Sequence, residues 1–453
     1  MKRKNRTILV SLLMISFMIA APLVLLFASG YRYNWRKHKI EKTGIIHVTT
    51  VPEGAAVTVD GKDAKDLTPV SIPNLMPEEY RVDVSMAGYM HWTKKLNVES
   101  GRTTFVKSLT LLRDELPQLI QGADISISTF SNDGTAVAYL ATDEEWSELS
   151  LHDIRTRDTL LLARFAKDKY DDVKISLSAD GTCLLFEGYD ESLRRRTLVI
   201  YPADVAGRGR DVAPNLGGSA GLTTSWSLGG SSMVAVGDAG AFTVDKTLGT
   251  IDPLPAGRSY RSAFQSAESI WLVREGKETD LLERIRPDRR SPAENYIALP
   301  RKGFRFVGGS ERYLILTDGR VGGGLLIDTH TGGLRELPHA TGAEWEHPDG
   351  TGRLLLWSDF EIFTIDPEKP EASLITRIGS GINACAWHPE GTYVLYATGD
   401  GITAVEMDNR DRRNIHQLVT FDMIGSMKID RESGLLRFVG SIGNQKGIFE
   451  RPL

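Results

Sequence analysis

One short pattern constrains this chain more than any other: an apolar or aromatic residue, then Ser/His-x-Asp/Glu-Gly-Thr, then an apolar run. Clear copies are Phe130-Ser131-Asn132-Asp133-Gly134-Thr135, Leu177-Ser178-Ala179-Asp180-Gly181-Thr182 and Trp387-His388-Pro389-Glu390-Gly391-Thr392. Trp345-Glu346-His347-Pro348-Asp349-Gly350-Thr351 carries one extra residue, and Trp226-Ser227-Leu228-Gly229-Gly230-Ser231 is a degraded copy. Weaker copies begin at Phe264, Phe306 and Ile429. The eight anchors are spaced by 47, 49, 38, 42, 39, 42 and 42 residues, a mean of about 43. A unit this short cannot bury an apolar face alone, so copies must stack on one another.

Each unit holds room for four short strands. In the first they are read as 125–130, 136–141, 149–153 and 159–163; in the seventh as 384–387, 393–397, 402–407 and 415–420. The Asp-Gly and Glu-Gly pairs fall between the first two strands, where a tight turn needs positive φ. Four strands repeating every 40–45 residues or so predict a β-propeller. Only three strands follow Ile429, and one orphan strand, 116–120, precedes the first unit. Pairing the orphan with the last unit closes a ring over 113–453, with eight blades favoured and seven the alternative. The repeats resemble the TolB-type and WD-like propeller families, whose units carry Ser-Pro-Asp-Gly at this turn. All-β is therefore the expected fold class, apart from the amino terminus.

Residues 1–6 form a basic tail with Lys2, Arg3, Lys4 and Arg6, and residues 7–31 contain no charge. As a helix, 25 residues would span about 37 Å, enough to cross a hydrocarbon core of about 30 Å. Pro22 is tolerable in such a helix. A cleaved signal peptide, cut at Ala28-Ser29-Gly30, is the alternative, although signal cores run only about 7–15 residues. Lys/Arg counts on the two sides are similar: Arg32, Arg36, Lys37, Lys39 and Lys42 follow the span. A short basic tail ahead of a first apolar segment favours the amino terminus inside and the bulk of the chain extracytoplasmic at the cell membrane. Tyr31, Tyr33 and Trp35 suit an interfacial aromatic belt. Residues 32–43 read as a juxtamembrane linker.

Residues 44–112 read as short strands: 45–51, 55–59 closed by Asp60-Gly61, the strictly alternating 80–86, and 103–112. Between the first two stands Pro52-Glu53-Gly54-Ala55. Val57-Thr58-Val59-Asp60-Gly61, Thr68-Pro69, Tyr80-Arg81-Val82 and Gly88-Tyr89 follow at fitting intervals. Over about 70 residues this resembles the PEGA domain. The resemblance implies a small β-sandwich of extracytoplasmic proteins, a binding or spacer module without catalytic residues. As local chemistry, the tetrapeptide is a turn.

Composition restricts the function. The net charge of −5 and pI of 6.1 leave no basic field for nucleic acid. Gly217-Gly218-Ser219-Ala220-Gly221 fits the nucleophile pattern G-x-S-x-G, but a strand rather than a helix follows, so a loop is expected. His339 and His347, with Glu344 and Glu346, could hold a metal only from adjacent loops and lack any known ligand spacing. His347 and His388 are expected to take the turn place of Ser131 and Ser178. Asp133, Asp180, Asp349 and Glu390 are turn residues of separate blades, not expected to meet. The basic runs 194–196, 284–290 and 410–413 read as solvated loops, with an anionic glycan or acidic partner as the less favoured use. Trp226, Trp345 and Trp387 read as inter-blade packing. Cys183 and Cys385, in blades two and seven, read as unpaired and buried. No catalytic, cofactor or metal residue is assigned, and ligand-binding residues are left unassigned. The expected function is a non-enzymatic, membrane-anchored scaffold whose propeller binds a protein or cell-envelope glycan. The competing reading is a propeller-based hydrolase or lyase with its site at the central channel.

Overall fold

The computed structural model describes residues 3–453 apart from 36, 217–221, 238, 248, 255–258, 268, 287–295, 320–322 and 370. Two compact units result: residues 1–115 with 406–416, and residues 116–405 with 417–453.

The first unit opens with a helix, Arg3–Ala28, that contains Pro22. Its apolar stretch Val10–Ala28 is 19 residues long and exposed, about 28 Å at helical rise. Length and composition suit either a membrane span or a signal sequence. The uncharged run to Tyr31 overstates the helix. Ser29 N still donates to Leu25 O at 2.9 Å, but Gly30 turns left-handed with φ +84° and a strand begins at Tyr31. Residues 31–42, expected as linker, form a hairpin of Tyr31–Asn34 paired antiparallel with Lys39–Lys42.

Two sheets follow. One is three-stranded, in the order Val70–Leu75, Gly44–Val51, Thr103–Thr110, and its last pair is parallel. The other is four-stranded, in the order Lys62–Asp63, Ala56–Val59, Glu79–Ser85, Trp92–Asn97. Strand alternation turns Ile46, Val48, Val57, Val82, Val84, Leu96 and Val106 into one shared core. Thr68 fastens the Pro52–Ala55 turn to that core. Its Oγ1 accepts the backbone N–H groups of Gly54 at 3.1 Å and Ala55 at 2.9 Å, and it contacts Thr50 Oγ1 at 2.6 Å. Gly54, at φ +94°, makes the bend possible. The Thr-Pro step and the tetrapeptide are thus two halves of one hydrogen-bonded corner.

The same unit contains a buried charge cluster absent from the sequence reading. Trp92, Lys94 and Leu96 alternate inward on one strand, each at most 2% exposed. Lys94 Nζ lies 2.8 Å from Glu406 Oε2 and donates to the Asp408 carbonyl at 2.7 Å. Glu406 also accepts Trp92 Nε1 at 2.9 Å and Asn414 Nδ2 at 2.8 Å. Every charged atom of the pair therefore has a partner, as a buried ion pair requires.

The second unit is a ring of eight four-stranded antiparallel sheets. Seven are built from consecutive strands, beginning at Ile125, Tyr170, Thr223, Tyr260, Arg305, Gly342 and Ala384. The eighth takes its outermost strand from the far end of the chain segment. Gln118–Gly122 pairs with Gln445–Pro452, in register Gln118 to Glu450 and Gly122 to Gly447. The orphan strand expected at 116–120 is Gln118–Gly122 in the structure.

The recurring turn has a repeated hydrogen-bond plan. Ser131 Oγ accepts Ala136 N at 2.9 Å and donates to Asp133 Oδ1 at 2.6 Å, while Asp133 accepts the Thr135 amide at 3.1 Å. Ser178, Asp180 and Thr182 repeat it, with Cys183 N on Ser178 Oγ at 3.0 Å. The glycine is needed for more than its φ of +67° to +74° at Gly230, Gly181 and Gly134. A Cβ at Gly230 would lie 2.8 Å from Asp180 N of the preceding blade, so neighbouring turns stack backbone to backbone.

Two outcomes follow from this packing. Thr68→Val keeps the shape but leaves the Gly54 and Ala55 amides without their acceptor. It is expected to destabilise the sandwich by about 1–3 kcal/mol in chemical denaturation of the full chain. Lys94→Met strands the Glu406 carboxylate in the interior and is expected to cost about 3–5 kcal/mol in the same measurement; a loss below 1 kcal/mol would contradict the buried-pair assignment.

Candidate functional site

The ring offers two places for chemistry: its axis, and the clefts between turns of adjacent blades. First strands of successive blades line the axis, and their side chains reach across each seam. Ser128 Oγ meets Ser426 Oγ at 2.6 Å, Trp226 Nε1 donates to Ser176 Oγ at 3.1 Å, and Glu344 accepts the Trp387 amide at 3.1 Å. Glu344 also holds Lys428 at 3.4 Å, with Arg431 at 3.9 Å. The eight first strands contain no histidine. Glu344, engaged by these two cations, ties blade six to blade eight.

The clefts are set by turn length. In blades four and five the turn is short: Ser266 N bonds Ser269 O, and Ser310 N bonds Tyr313 O at 2.7 Å. In blade six Glu346 N bonds Arg353 O, which encloses a much longer turn. The short turn of blade five beside the long turn of blade six leaves a cleft of about 530 Å³. It is lined by Arg312, Tyr313, Trp345, Arg353, Asp366 and Glu368, among others. The Tyr313 and Trp345 rings lie 5.7 Å apart at 30°, forming an aromatic wall. Trp345 Nε1 is buried without a hydrogen-bond partner.

Charge surrounds this wall on both sides. Arg312 bonds Asp328 at 3.0 Å and reaches Glu368 at 3.2 Å; Asp328 raises its pKa. Tyr313 donates to Glu368 at 3.3 Å, and burial raises its hydroxyl pKa. Glu346 takes a bidentate grip from Arg353. Burial alone would raise the Glu346 pKa, but the Arg353 hydrogen bonds lower it overall. An aromatic wall with donors and acceptors on its rim can stack a planar or pyranose face and hydrogen-bond its edges.

A second cleft of about 410 Å³ lies between blades one and two, lined by Asp133, Asp153, Asp158 and Asp180. Stacking of neighbouring turns puts Asp133 and Asp180 along one cleft, each still hydrogen-bonded within its own turn. Burial alone would raise the Asp180 pKa, but Lys246, Ser178 and Thr182 lower it to about 2.

Glu346, not His347, takes the side-chain part of Ser131 in blade six, since its Oε2 accepts Arg353 N at 3.0 Å. His347 keeps only the turn carbonyl, which accepts Gly350 N at 3.0 Å; the extra residue splits the two tasks. His388 does take the expected place, its Nδ1 accepting Glu390 N at 3.2 Å. His339 Nδ1 contacts Thr317 Oγ1 at 3.2 Å. Among the described residues, no three His, Cys, Asp or Glu side chains converge as a metal site would need. Residues 217–221 and 289–290 lie outside the described residues. Arg195 pairs with Asp211 and Arg196 with Asp172, while Arg284 bonds Ser269 and Arg410 bonds Asp408. These cations are tied locally rather than gathered on one face. Trp387 is 1% exposed and packs under Arg353, and Trp345 packs against the core shared by blades five and six while also lining the cleft. Cys183 and Cys385 are free and buried, and burial pushes the Cys385 thiol well up.

Comparisons with known proteins agree with this architecture. Residues 43–112 match the PEGA domain family. No curated protein matches the chain. Among solved structures, the Dos1 propeller is 12% identical with a TM-score of 0.51, covering 75% of this chain and 95% of that one. The C-terminal WD40 domain of Sif2 is 12% identical with a TM-score of 0.49, covering 75% and 99%. The dihydro-heme d1 dehydrogenase NirN in complex with DHE is 13% identical with a TM-score of 0.46, covering 71% and 69%. The Dos1 likeness shows the fold alone. The chain thus combines a PEGA domain with a β-propeller.

His388 gives a pH-dependent outcome. Burial pushes its pKa down to about 4, against 6.5 when unfolded. The unfolded chain binds the proton first, so stability falls as pH drops through 6.5 and levels off below about 4. The expected loss is up to about 3 kcal/mol. His388→Ser, the residue of blades one to three, is expected to flatten the chain's stability profile between pH 7 and 4. Asp180 acts in a lower window, its contribution present above about pH 4 and lost as pH falls through about 2.

Proposed function

We propose that this is a single-pass cell-envelope protein, amino terminus inside, whose propeller is a non-enzymatic module that binds an extracytoplasmic protein or glycan. The observation that carries the reading is the blade five–six cleft, where the Tyr313–Trp345 wall is rimmed by Arg312 and Glu368. Aromatic and arginine side chains gathered in one pocket are the residue types that most often anchor binding interfaces. The axis supports the same reading, since Glu344 there is engaged by Lys428, Arg431 and the Trp387 amide in contacts between blades. The apolar helix supports membrane attachment, and the PEGA module would act as the spacer. A net charge of −5 argues against a nucleic-acid partner.

Two measurements test this. Protease added to intact cells should digest the propeller; survival until lysis would overturn the orientation. Affinity capture from envelope fractions with the full chain should retain a partner. The double variant Arg312→Ala/Glu368→Ala should lower its affinity about tenfold or more, the loss typical of an interface anchor. Unchanged capture would remove the cleft from the function.

A further inference from the structure

We propose that the hairpin Tyr31–Asn34/Lys39–Lys42 is a lipid-binding foot, its exposed face seated in the headgroup layer of an anionic bilayer. This rests on reading the helix as a membrane span, and goes beyond it by giving the next twelve residues a surface to bind.

The hairpin has two unlike faces. Residues directly opposite each other in the ladder share a face: Tyr31 with Lys42 and Tyr33 with Ile40 on one, Arg32 with Glu41 and Asn34 with Lys39 on the other. The second face is engaged. Asn34 donates to Glu41 at 2.8 Å, Arg32 donates to Asn74 Oδ1 at 3.0 Å, and from the turn Lys37 donates to the Pro77 carbonyl at 3.1 Å. The first face is bare. Tyr31 is 38%, Tyr33 44% and Ile40 56% exposed, and Trp35 in the turn is 80% exposed. Tyr33 and Trp35 pack edge to face at 4.8 Å, making one aromatic surface rather than two independent rings.

This face is fixed to the end of the span. Arg32 donates to the Phe27 carbonyl at 2.6 Å, with its guanidinium 3.5 Å from the Phe27 ring centroid. The Gly30 carbonyl accepts both the amide and the hydroxyl of Thr43 at 2.9 Å. Both strand ends are therefore bolted to the helix terminus, where a spanning helix leaves the hydrocarbon. Amphipathic aromatic rings are favoured at that depth. Charge selects the lipid: residues 31–42 carry Arg32, Arg36, Lys37, Lys39 and Lys42 against Glu41, a net +4 for the hairpin as a whole, with Lys42 on the bare face. Basic residues clustered beside a span are drawn to anionic headgroups. An aqueous partner would gain little from a face held against the bilayer by its own anchor.

The test uses the full chain reconstituted in phosphatidylcholine/phosphatidylglycerol vesicles, with brominated lipid as quencher of tryptophan fluorescence. A Trp35-dependent component, defined by its loss in Trp35→Phe, should be quenched, and severalfold more strongly when bromine is carried by phosphatidylglycerol than by phosphatidylcholine. Equal quenching by the two lipids would overturn the anionic preference. No Trp35-dependent quenching, with the chain still resistant to alkaline extraction, would overturn the seat while leaving the span intact. Release at alkaline pH would instead overturn the span. Disulfide crosslinking between copies through Tyr33→Cys, with Trp35 unquenched, would assign the face to a second copy and reject the lipid.

Discussion

The ring depends on one seam. Seven blades can form from neighbouring strands, but the eighth exists only when Gln118–Gly122 pairs with Gln445–Pro452. Until that pairing forms, the strand ladders at both ends have free edges. The seam is reinforced beyond the ladder. Arg437, 5% exposed, donates to the Gly134 carbonyl of blade one and pairs at 3.1 Å with Asp430 of its own blade. Gly134 packs so near Asp430 that a Cβ would come within 3.2 Å of its backbone nitrogen. A residue of the period motif therefore serves as the bearing surface of the closure. Contacts separated by some 300 residues must form for the ring to close, a loop-closure cost that the pairs of neighbouring strands do not bear.

The motif made most of this legible because its chemistry is local. Ser131, Asp133 and Thr135 satisfy one another within a single turn, so the sequence pattern and the hydrogen-bond pattern coincide. The sandwich corner was legible for the same reason, although Thr68 reaches it from fourteen residues away. Where the turn lacks that chemistry the reading slipped. In blades four and five the strand ends at Gln265 and Gly309, not at the aromatics Phe264 and Phe306. Those turns close through Ser266 to Ser269 and Ser310 to Tyr313, too short for an Asp-Gly pair. Phe264 and Phe306 pack on each other, 5.7 Å between centroids, and so mark the blade interface instead of the strand end.

Long-range charge was the less legible part. Lys94 sits between Trp92 and Leu96 on the inward parity of its strand, a position where an isolated ammonium would be costly. That parity is visible in the sequence and signals a buried partner, but the partner, Glu406, is 312 positions away and nothing local names it. The hairpin after the helix was obscured differently. Its Lys/Arg density resembles a solvated linker, and the pairing of Tyr31–Asn34 with Lys39–Lys42 becomes evident only once Gly30 and Thr43 are seen to clamp its base.

The cleft between blades five and six shows how a repeat fold acquires a site. The turn at Gly230 stacks closely on Asp180 of the preceding blade, and the like turns of blades one and two still leave a polar cleft between them. Blade five has lost its Asp-Gly turn and blade six has gained a residue, so their ends no longer match. The mismatch opens a cleft along Tyr313 and Trp345, which also pack in the core between the two blades, and the buried Trp345 indole N–H has no acceptor. A buried donor without a partner is a cost that a ligand acceptor would remove. The departure from the period is what places aromatic side chains, rather than only turn carboxylates, along the blade five–six cleft.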